Sequence, residues 1–475
     1  MAPSRIHDPA AGLPPPELPS KAKPTTPNGH LMHRSLAFTP HMVESASGIN
    51  LHLSTGQVVM DACGGAAVAI IGHGNVEVAR AMADQALRVG YVHTQAYTTA
   101  PAEALADHIL AESPFGLTHA FFVGSGSEAV EAALKLARQY AYERGEKERL
   151  HFVSRRQGYH GNTMASMSIS AVAARKVPYD GFSYPHVSHV SPAFAYRHQQ
   201  AGETEEEYST RLVDELEAEF LRIGPETVAA FVAETVVGAA TGCVAAPKGY
   251  FRGVRALCDR YGILLVLDEV MCGVGRTGTF FAFEQEGIVP DIVTVAKGLG
   301  GGYAAIGGVL VHEKVVEALR QGSGAFCHGH TYQAHPVSCA AALAVQQIVK
   351  REGLMERCAK MGVVLERMLY ETLGERSSVG DIRGRGLFWA VEFVRDRKTK
   401  EPFAPELGFG ARVQQVAFRE GVAVYPGAAT ADGVKGDHVL VAPPFNVTEE
   451  QLERICSVLS AAVEEVEAEV SKEVA

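Results

Sequence analysis

The sequence has no excess of positive charge and no long apolar run, and these two absences exclude whole classes of function. Its 475 residues contain 43 Lys and Arg against 54 Asp and Glu, which gives a formal net charge of -11. Nucleic-acid binding needs a basic surface that neutralises phosphates, so this balance argues against such a partner. No apolar stretch reaches the roughly 18 residues of a membrane span, and the first residues lack the apolar core of a signal peptide. We therefore expect no nucleic-acid partner and no membrane partner.

Cysteine is sparse and scattered. No two of the eight cysteines have the two-residue gap that is typical of a zinc site or a redox dithiol. Free cysteines are usually buried, so we expect reduced, mostly buried thiols, no metal site and a reducing compartment such as the cytoplasm. The eight residues are Cys63, Cys243, Cys258, Cys272, Cys327, Cys339, Cys358 and Cys456.

The length of the chain predicts two or more domains. Residues 1–30 are rich in proline and lack apolar periodicity, which predicts a disordered or extended arm. We expect an N-terminal segment over residues 31–90 that packs with a small domain. A large domain over residues 91–335 and a small C-terminal α+β domain over residues 336–475 complete the predicted organisation.

Strands and helices alternate from about residue 90. Continuous aliphatic runs such as Ile263–Leu267 are typical of strands covered on both faces, and helical spacing recurs between such runs, as over Gly249–Tyr261. This alternation predicts an α/β fold with a mostly parallel sheet. On the helix after residue 123, Glu131 and Lys135 are spaced to form an i,i+4 ion pair on the outer face.

A serine and glycine turn separates the predicted strand Ala120–Val123 from the helix that follows it. The first N–H groups of a helix have no partner inside it, and the helix dipole makes this end positive. A phosphate therefore fits at Gly126 and Ser127, with the Ser127 hydroxyl as an added donor. The alternative is a capping box between Ser125 and Glu128 that needs no ligand.

Asp268 and Lys297 each follow a predicted strand, and ligands bind at the carboxyl ends of strands in α/β sheets. A carboxylate there can pair with a protonated pyridine nitrogen and keep the ring an electron acceptor, although Asp268 taken alone is more typical of a residue that caps the next turn. Partial desolvation would lower the pKa of Lys297 and free its amine for imine formation. The alternative is a solvated lysine before a flexible glycine run.

Together these motifs resemble the class III, or omega-amino-acid type, aminotransferases. The resemblance covers roughly residues 35–470 and implies fold type I, with pyridoxal 5′-phosphate (PLP) bound by the large domain. It also implies transfer of an amino group from an amine or omega-amino acid to a keto acid. The matching segments are Ser125–Glu128, Gly158–Gly161, Asp268–Val270, Lys297 and Gly329–Tyr332.

The resemblance assigns residues to the two ends of the cofactor. Gly126 and Ser127 would bind the phosphate. Tyr159 would stack on one face of the pyridine ring, and Val270 would lie on the other face.

It also assigns the chemistry and the assembly. Asp268 would pair with the ring nitrogen, and Lys297 would hold the cofactor as a Schiff base and act as general base and acid. Thr331 would reach the phosphate of the neighbouring subunit's cofactor, which implies a homodimer with shared active sites.

The sequence departs from the family in two places. The segment over residues 233–238 lacks a Pro and a Gln common in the family, and Tyr425 stands where many members have an arginine that binds the substrate carboxylate. Glu234 would then lack its usual arginine partner. We therefore predict pyruvate rather than 2-oxoglutarate as acceptor, with Tyr425 and Glu234 as substrate-binding residues. Ala66 and Ala67 would leave room for a bulky amine donor; the alternative is that these small residues are part of the core.

The predicted reaction is a ping-pong transamination in two halves. Similar residues also serve decarboxylating transaminases, aminomutases and racemases of the same family, so these reactions remain alternatives. A non-catalytic scaffold that kept the fold is an alternative of a different class. The sequence does not name the amino donor.

Overall fold

The computed structural model describes residues 30–111 and 115–474. The predicted proline-rich arm lies outside the described residues except for residue 30. The strands are β1 (Val43–Ser47), β2 (Asn50–Leu53), β3 (Val58–Asp61), β4 (Leu117–Val123), β5 (His151–Arg155), β6 (Val187–Val190), β7 (Val228–Glu234), β8 (Val236–Val237), β9 (Val244–Ala245), β10 (Leu264–Asp268), β11 (Ile292–Val295), β12 (Gly307–His312), β13 (Val379–Arg385), β14 (Phe388–Phe393), β15 (Val422–Ala423), β16 (Tyr425–Ala428) and β17 (Asp437–Val441).

The helices alternate with these strands over the first two thirds of the chain and predominate later. They are α1 (Gly64–Ala67), α2 (Val76–Arg88), α3 (Ala100–Ala111), α4 (Gly126–Glu143), α5 (Met164–Ile169), α6 (Ala173–Lys176), α7 (Ala195–His198), α8 (Glu205–Ile223), α9 (Tyr250–Tyr261), α10 (Glu313–Gln321), α11 (Pro336–Arg351), α12 (Leu354–Leu373), α13 (Phe409–Arg419) and α14 (Glu449–Val474).

Seven strands form the large sheet, in the order β4-β12-β11-β10-β7-β5-β6. The strands from β11 to β6 pair in parallel, whereas β12 runs antiparallel to both of its neighbours. This arrangement confirms the predicted α/β fold with a mostly parallel sheet. Leu264 and Val266 pack into the apolar cluster that contains α4, and Leu265 and Leu267 pack into the cluster that contains α9. Both faces of β10 are therefore covered, which explains its unbroken aliphatic sequence.

Two smaller sheets flank the large one in the chain. The C-terminal part contains the antiparallel sheet β13-β14-β17-β16, and α13 packs against α14 beside it. Near the N-terminus, β1, β2 and β3 pair in antiparallel order, and β15 joins β3 in parallel. The N-terminal segment and the C-terminal part thus share one sheet. The domain boundaries themselves remain predictions.

The predicted ion pair between Glu131 and Lys135 is wrong. A carboxylate oxygen of Glu131 accepts hydrogen bonds from the Thr163 hydroxyl (2.7 Å) and the Ala165 N–H (3.0 Å). Lys135 instead places its Nζ 2.8 Å from Nδ1 of His328. The first N–H groups of α5 lack helical acceptors, and Glu131 supplies one from the neighbouring helix. Tertiary contacts therefore override the local spacing.

All eight cysteines are free, and all but Cys327 are buried. Within residues 30–111 and 115–474, no helix combines the length and the apolar character needed to cross a bilayer. The same part of the chain contains no group of three or more metal-ligating side chains.

Candidate active site

A cavity of about 410 Å³ lies at the carboxyl edge of the large sheet. The register of the parallel strands places Asp268 abreast of Glu234 and of Thr294, so polar side chains gather where three strands end. Most of the predicted site residues line this cavity: Gly126, Ser127, Tyr159, Glu234, Asp268, Val270, Lys297 and Tyr425. The fold thus brings together residues that are up to 299 positions apart, from Gly126 to Tyr425.

The start of α4 forms one wall of the cavity. Ser125 caps the helix, because its hydroxyl accepts a hydrogen bond from the Glu128 N–H (3.2 Å). The Glu128 carboxylate bonds to the Gly124 N–H (2.7 Å) and not to Ser125, so only half of the capping box is present. The N–H groups of Gly126 and Ser127 have no acceptor within the helix and lie at the cavity wall. A phosphate can accept from both.

Two glycines let the backbone approach this helix start closely. A Cβ at Gly126 would lie 2.8 Å from Cγ1 of Val270, and a Cβ at Gly161 would lie 2.7 Å from the Oγ atoms of Ser127 and Ser166. Gly161 also has a φ of +126°, which side chains disfavour. Larger residues at these positions would fill the space that a phosphate needs.

Asp268 lies at the base of the cavity, 4% exposed. One carboxylate oxygen accepts from the Val270 N–H (3.0 Å) and the Thr294 hydroxyl (3.3 Å), so the turn-capping interpretation also holds. The other oxygen lies 2.9 Å from Nδ1 of buried His160. Among the described residues, Nε2 of His160 has no hydrogen-bond partner. The sequence analysis gave His160 no role, although it adjoins Tyr159.

Lys297 follows β11 and lines the cavity rather than a solvated loop. Burial lowers the pKa of its amine, while the charges of Glu234 and Asp268 act in the opposite direction. The backbone of Lys297 has a φ of +47°, in the left-handed region that favours glycine. A neutral amine at this position can act as a nucleophile and as a base.

Glu234 meets backbone amides instead of an arginine side chain. Its two carboxylate oxygens accept from the N–H groups of Tyr159 (3.0 Å) and Gly238 (2.8 Å). Arg155 lies close by but donates to the backbone carbonyl of Glu234. Burial raises the pKa of the Glu234 carboxyl, and the two amide donors act against that shift. Glu234 thus holds the chain beside Tyr159.

Tyr425 belongs to β16 and pairs with Leu440 of β17. Its side chain is half-buried and packs on an apolar cluster that includes Met271. Ala66 lines the cavity, but Ala67 is buried within that cluster and adds no room. Ala67 thus belongs to the core, which its small size also allows, whereas Ala66 borders the cavity.

Two arginines that the sequence analysis missed also line the cavity. They are Arg34 and Arg175, and the guanidinium carbon of Arg175 lies 4.6 Å from the centroid of the Tyr159 ring. No motif marks either residue, because each comes to the cavity through the tertiary fold. They add positive charge to the lining of the cavity.

Thr331 lies apart from the other predicted residues. It is exposed in the segment between α10 and α11 and is absent from the described lining of the cavity in its own chain. Its role across a subunit interface remains a prediction.

The described residues fit the chemistry of PLP. A helix start with two free N–H groups suits the phosphate, and a tyrosine and a valine suit the two faces of the ring. A buried carboxylate suits the pyridinium nitrogen, and a lysine of lowered pKa suits the aldehyde.

Known proteins share both sequence and fold with this chain. The family described as aminotransferase class-III matches residues 32–463. An aminotransferase of Schizosaccharomyces pombe is 50% identical over 434 residues, covering 91% of this chain and 95% of that protein. A diaminobutyrate–2-oxoglutarate transaminase of Halomonas elongata is 35% identical over 440 residues, covering 91% and 92%. The structure of an omega transaminase from Pseudomonas jessenii in complex with PMP has a TM-score of 0.88 at 31% identity, covering 94% and 98%.

The fold is that of the PLP enzymes of fold type I, and the cavity has the matching donor set. The chain belongs to the class III aminotransferases. The predictions of an aminotransferase and of PLP as cofactor are confirmed, since this family uses PLP to act on amine and keto-acid substrates.

Proposed function

We propose that this chain transfers an amino group from an amine or omega-amino acid to pyruvate, in two half-reactions at the Lys297 cavity. The observation that carries the proposal is the meeting of Lys297, Asp268 and the start of α4 in one cavity. An amine, a carboxylate and an anion site are the three groups that PLP chemistry requires.

The walls of the cavity position the reactants. Gly126 and Ser127 hold the phosphate through their N–H groups, while Tyr159 and Val270 fix the plane of the ring. PLP, when bound, supplies an electron sink next to the carbon that carries the amino group. By holding the ring and the substrate in one orientation, these residues would favour removal of the proton over other cleavages.

Lys297 and Asp268 handle the protons. With PLP bound, the amine of Lys297 would in its neutral form take the proton from the substrate carbon and return it to the cofactor, as general base and then general acid. Asp268 keeps a proton on the pyridine nitrogen by charge pairing. His160 orients Asp268 through the carboxylate oxygen that Thr294 does not contact, and its Nδ1 lies 2.9 Å from that oxygen.

Pyruvate is the proposed acceptor because Tyr425 offers one neutral donor where an arginine would offer two charge-assisted bonds. A second carboxylate buried there without a cation would be costly. The methyl group of pyruvate suits the wall formed by Ala66 and Met271.

A second candidate acceptor is 2-oxoglutarate. Arg34 and Arg175 both line the cavity, and two cations suit two carboxylates. The name of the Halomonas elongata relative includes 2-oxoglutarate.

Steady-state kinetics with one good amine donor decides between the acceptors. We expect kcat/KM to be higher with pyruvate than with 2-oxoglutarate. A tenfold advantage for 2-oxoglutarate would overturn the pyruvate proposal. The same samples separate the alternatives: racemisation or aminomutase activity proceeds without a keto acid, decarboxylation releases carbon dioxide, and a non-catalytic scaffold shows no keto-acid-dependent change in its visible spectrum.

We further propose a homodimer in which Thr331 contributes to the partner's site. The support is that Thr331 is exposed and away from the cavity of its own chain, while the family motif assigns it to a phosphate. A cytoplasmic location is also proposed, because eight free thiols suit a reducing compartment.

A further inference from the structure

The carboxylates that line the cavity already have hydrogen-bond partners, but among the described residues its two arginines have no carboxylate partner. Asp268 is engaged by His160 and Thr294, and Glu234 by two backbone amides. In the part of the chain that the structure describes, no carboxylate lies within 4.0 Å of the guanidinium of Arg34 or Arg175. The substrate side of the cavity therefore has positive charge to offer to an anion.

The helix that carries Arg175 is anchored by the next residue in the chain. Arg175 belongs to the short helix α6, where Lys176 donates hydrogen bonds to the carbonyls of Ser168 and Ser170, both at 3.0 Å. The guanidinium lies over the Tyr159 ring at 4.6 Å, which is a cation–π distance. The Arg175 side chain is exposed, and among the described residues no side chain or backbone group forms a hydrogen bond with its guanidinium.

Arg34 lacks this support. It lies in a segment without helix or strand, before β1 begins at Val43. Of the two arginines, only Arg175 is fixed against a residue that also contacts the predicted cofactor position.

We propose that Arg175 binds the carboxylate of the keto acid and thereby sets its orientation over Lys297. Tyr425 stands where many family members have an arginine that binds the substrate carboxylate. Arg175 would supply that positive charge from α6 instead. Its planar fork matches a carboxylate with two parallel N–H bonds. The inference rests on the proposed function, because it assigns the substrate contact of that same reaction.

Arg175→Gln removes the charge, and Arg175→Lys keeps the charge but not the fork. The first measurement is the binding of propionate to the PLP-loaded enzyme by calorimetry, which involves no chemistry. The second compares kcat/KM for pyruvate and for propanal, which has no carboxylate, with the same amine donor. Arg34→Gln is the matched comparison, since it removes the same charge from the same cavity.

We expect Arg175→Gln to weaken propionate binding and to lower kcat/KM for pyruvate by about 10- to 100-fold, as the loss of a charged hydrogen bond implies. Propanal should change less than about threefold, since it makes no charged hydrogen bond that the variant could lose. Arg175→Lys should fall in between, and Arg34→Gln should lose less than Arg175→Gln.

Three outcomes would overturn the proposal. In the first, propionate binds Arg175→Gln as it binds the wild type. In the second, pyruvate and propanal decline together in both Arg175 variants, which signals general damage to the site. In the third, Arg34→Gln causes the larger loss. If the wild type binds propionate but transaminates no keto acid, the proposed function fails, while the propionate measurement still tests Arg175.

Discussion

Replacing Asp268 with Asn removes one negative charge while almost preserving the shape of the cavity base. The Asn oxygen can still accept hydrogen bonds from the Val270 N–H, which lies 3.0 Å from Asp268 in the wild type, and from the Thr294 hydroxyl. Its NH₂ group then faces Nδ1 of His160, which lies 2.9 Å from the carboxylate. His160 can accept this contact by moving its proton to Nε2, so the variant need not leave a buried clash.

The expected loss follows from the position of the charge. Asp268 is 4% exposed, so water cannot replace the carboxylate as partner of the pyridinium. Removing one preorganised electrostatic partner of this kind typically lowers kcat by about 10²- to 10³-fold, or about 3–4 kcal/mol. We therefore expect Asp268→Asn to slow each half-reaction at least about 100-fold. Without the carboxylate, the pyridine nitrogen of PLP would lose its proton, and the ring would accept electrons less readily. The start of α4 and Lys297 should still retain the cofactor.

Single-turnover absorbance after rapid mixing with an amine donor measures this loss. The visible spectrum of the dialysed variant reports whether PLP is still bound. Thr294→Val is the control, because it removes the 3.3 Å hydroxyl contact to Asp268 but keeps the charge. A hydrogen bond to a charged group is worth about 1.5–3 kcal/mol, and the lower end suits a long contact, so the control should lose about tenfold. Near wild-type rates in Asp268→Asn with PLP bound would refute the assigned role, and an equal loss in Thr294→Val would assign the effect to the positioning of the side chain and not to its charge.

Three further predictions test other parts of the molecule. Lys297→Ala should abolish turnover and the visible absorption of the lysine-bound cofactor; normal turnover in this variant would exclude Lys297 as the attachment site. Mixing Lys297→Ala chains with Thr331→Ala chains should restore activity in mixed dimers that hold one undamaged site. If Thr331→Ala is impaired but mixing restores nothing, Thr331 acts in its own subunit. Burial and the nearby charge of Arg383 lower the pKa of His438 from 6.5 to about 3. Its stabilising contribution is therefore present above pH 6.5 and is lost as the pH falls towards 3. Between pH 7 and 4, Tm of the wild type should fall more than Tm of His438→Gln, and parallel curves would contradict this.

Local sequence patterns located the strand-end residues because they depend on short-range physics. Asp268 follows one aliphatic run, and Lys297 follows another and precedes a run of glycines. These local patterns predict that both residues lie at the carboxyl ends of strands, and therefore at the same edge of the sheet. The parallel pairing of β10 with β11 then brought them into one cavity.

Contacts between distant segments could not be predicted in this way. His160 contacts Asp268, which is 108 positions away in the sequence. Arg175 lines the cavity from α6, and the hydrogen bond from Lys176 to the Ser170 carbonyl holds this helix near the site. The same limit explains the error at Glu131, whose best partners lie on α5 rather than one turn away. Periodicity specifies which face is buried, but it does not specify which polar groups meet across the packed elements.

The left-handed backbone of Lys297 lowers the stability of the fold at the residue that carries the reactive amine. A residue with a side chain in that conformation costs about 1–2 kcal/mol relative to a glycine, and alanine carries the same penalty as lysine. Comparing the unfolding free energies of Lys297→Gly and Lys297→Ala would therefore measure the strain minus the roughly 0.5–1 kcal/mol that the freedom of glycine in the unfolded chain costs. On this argument the most stable version of the chain is an inactive one, and selection for stability alone would remove the amine.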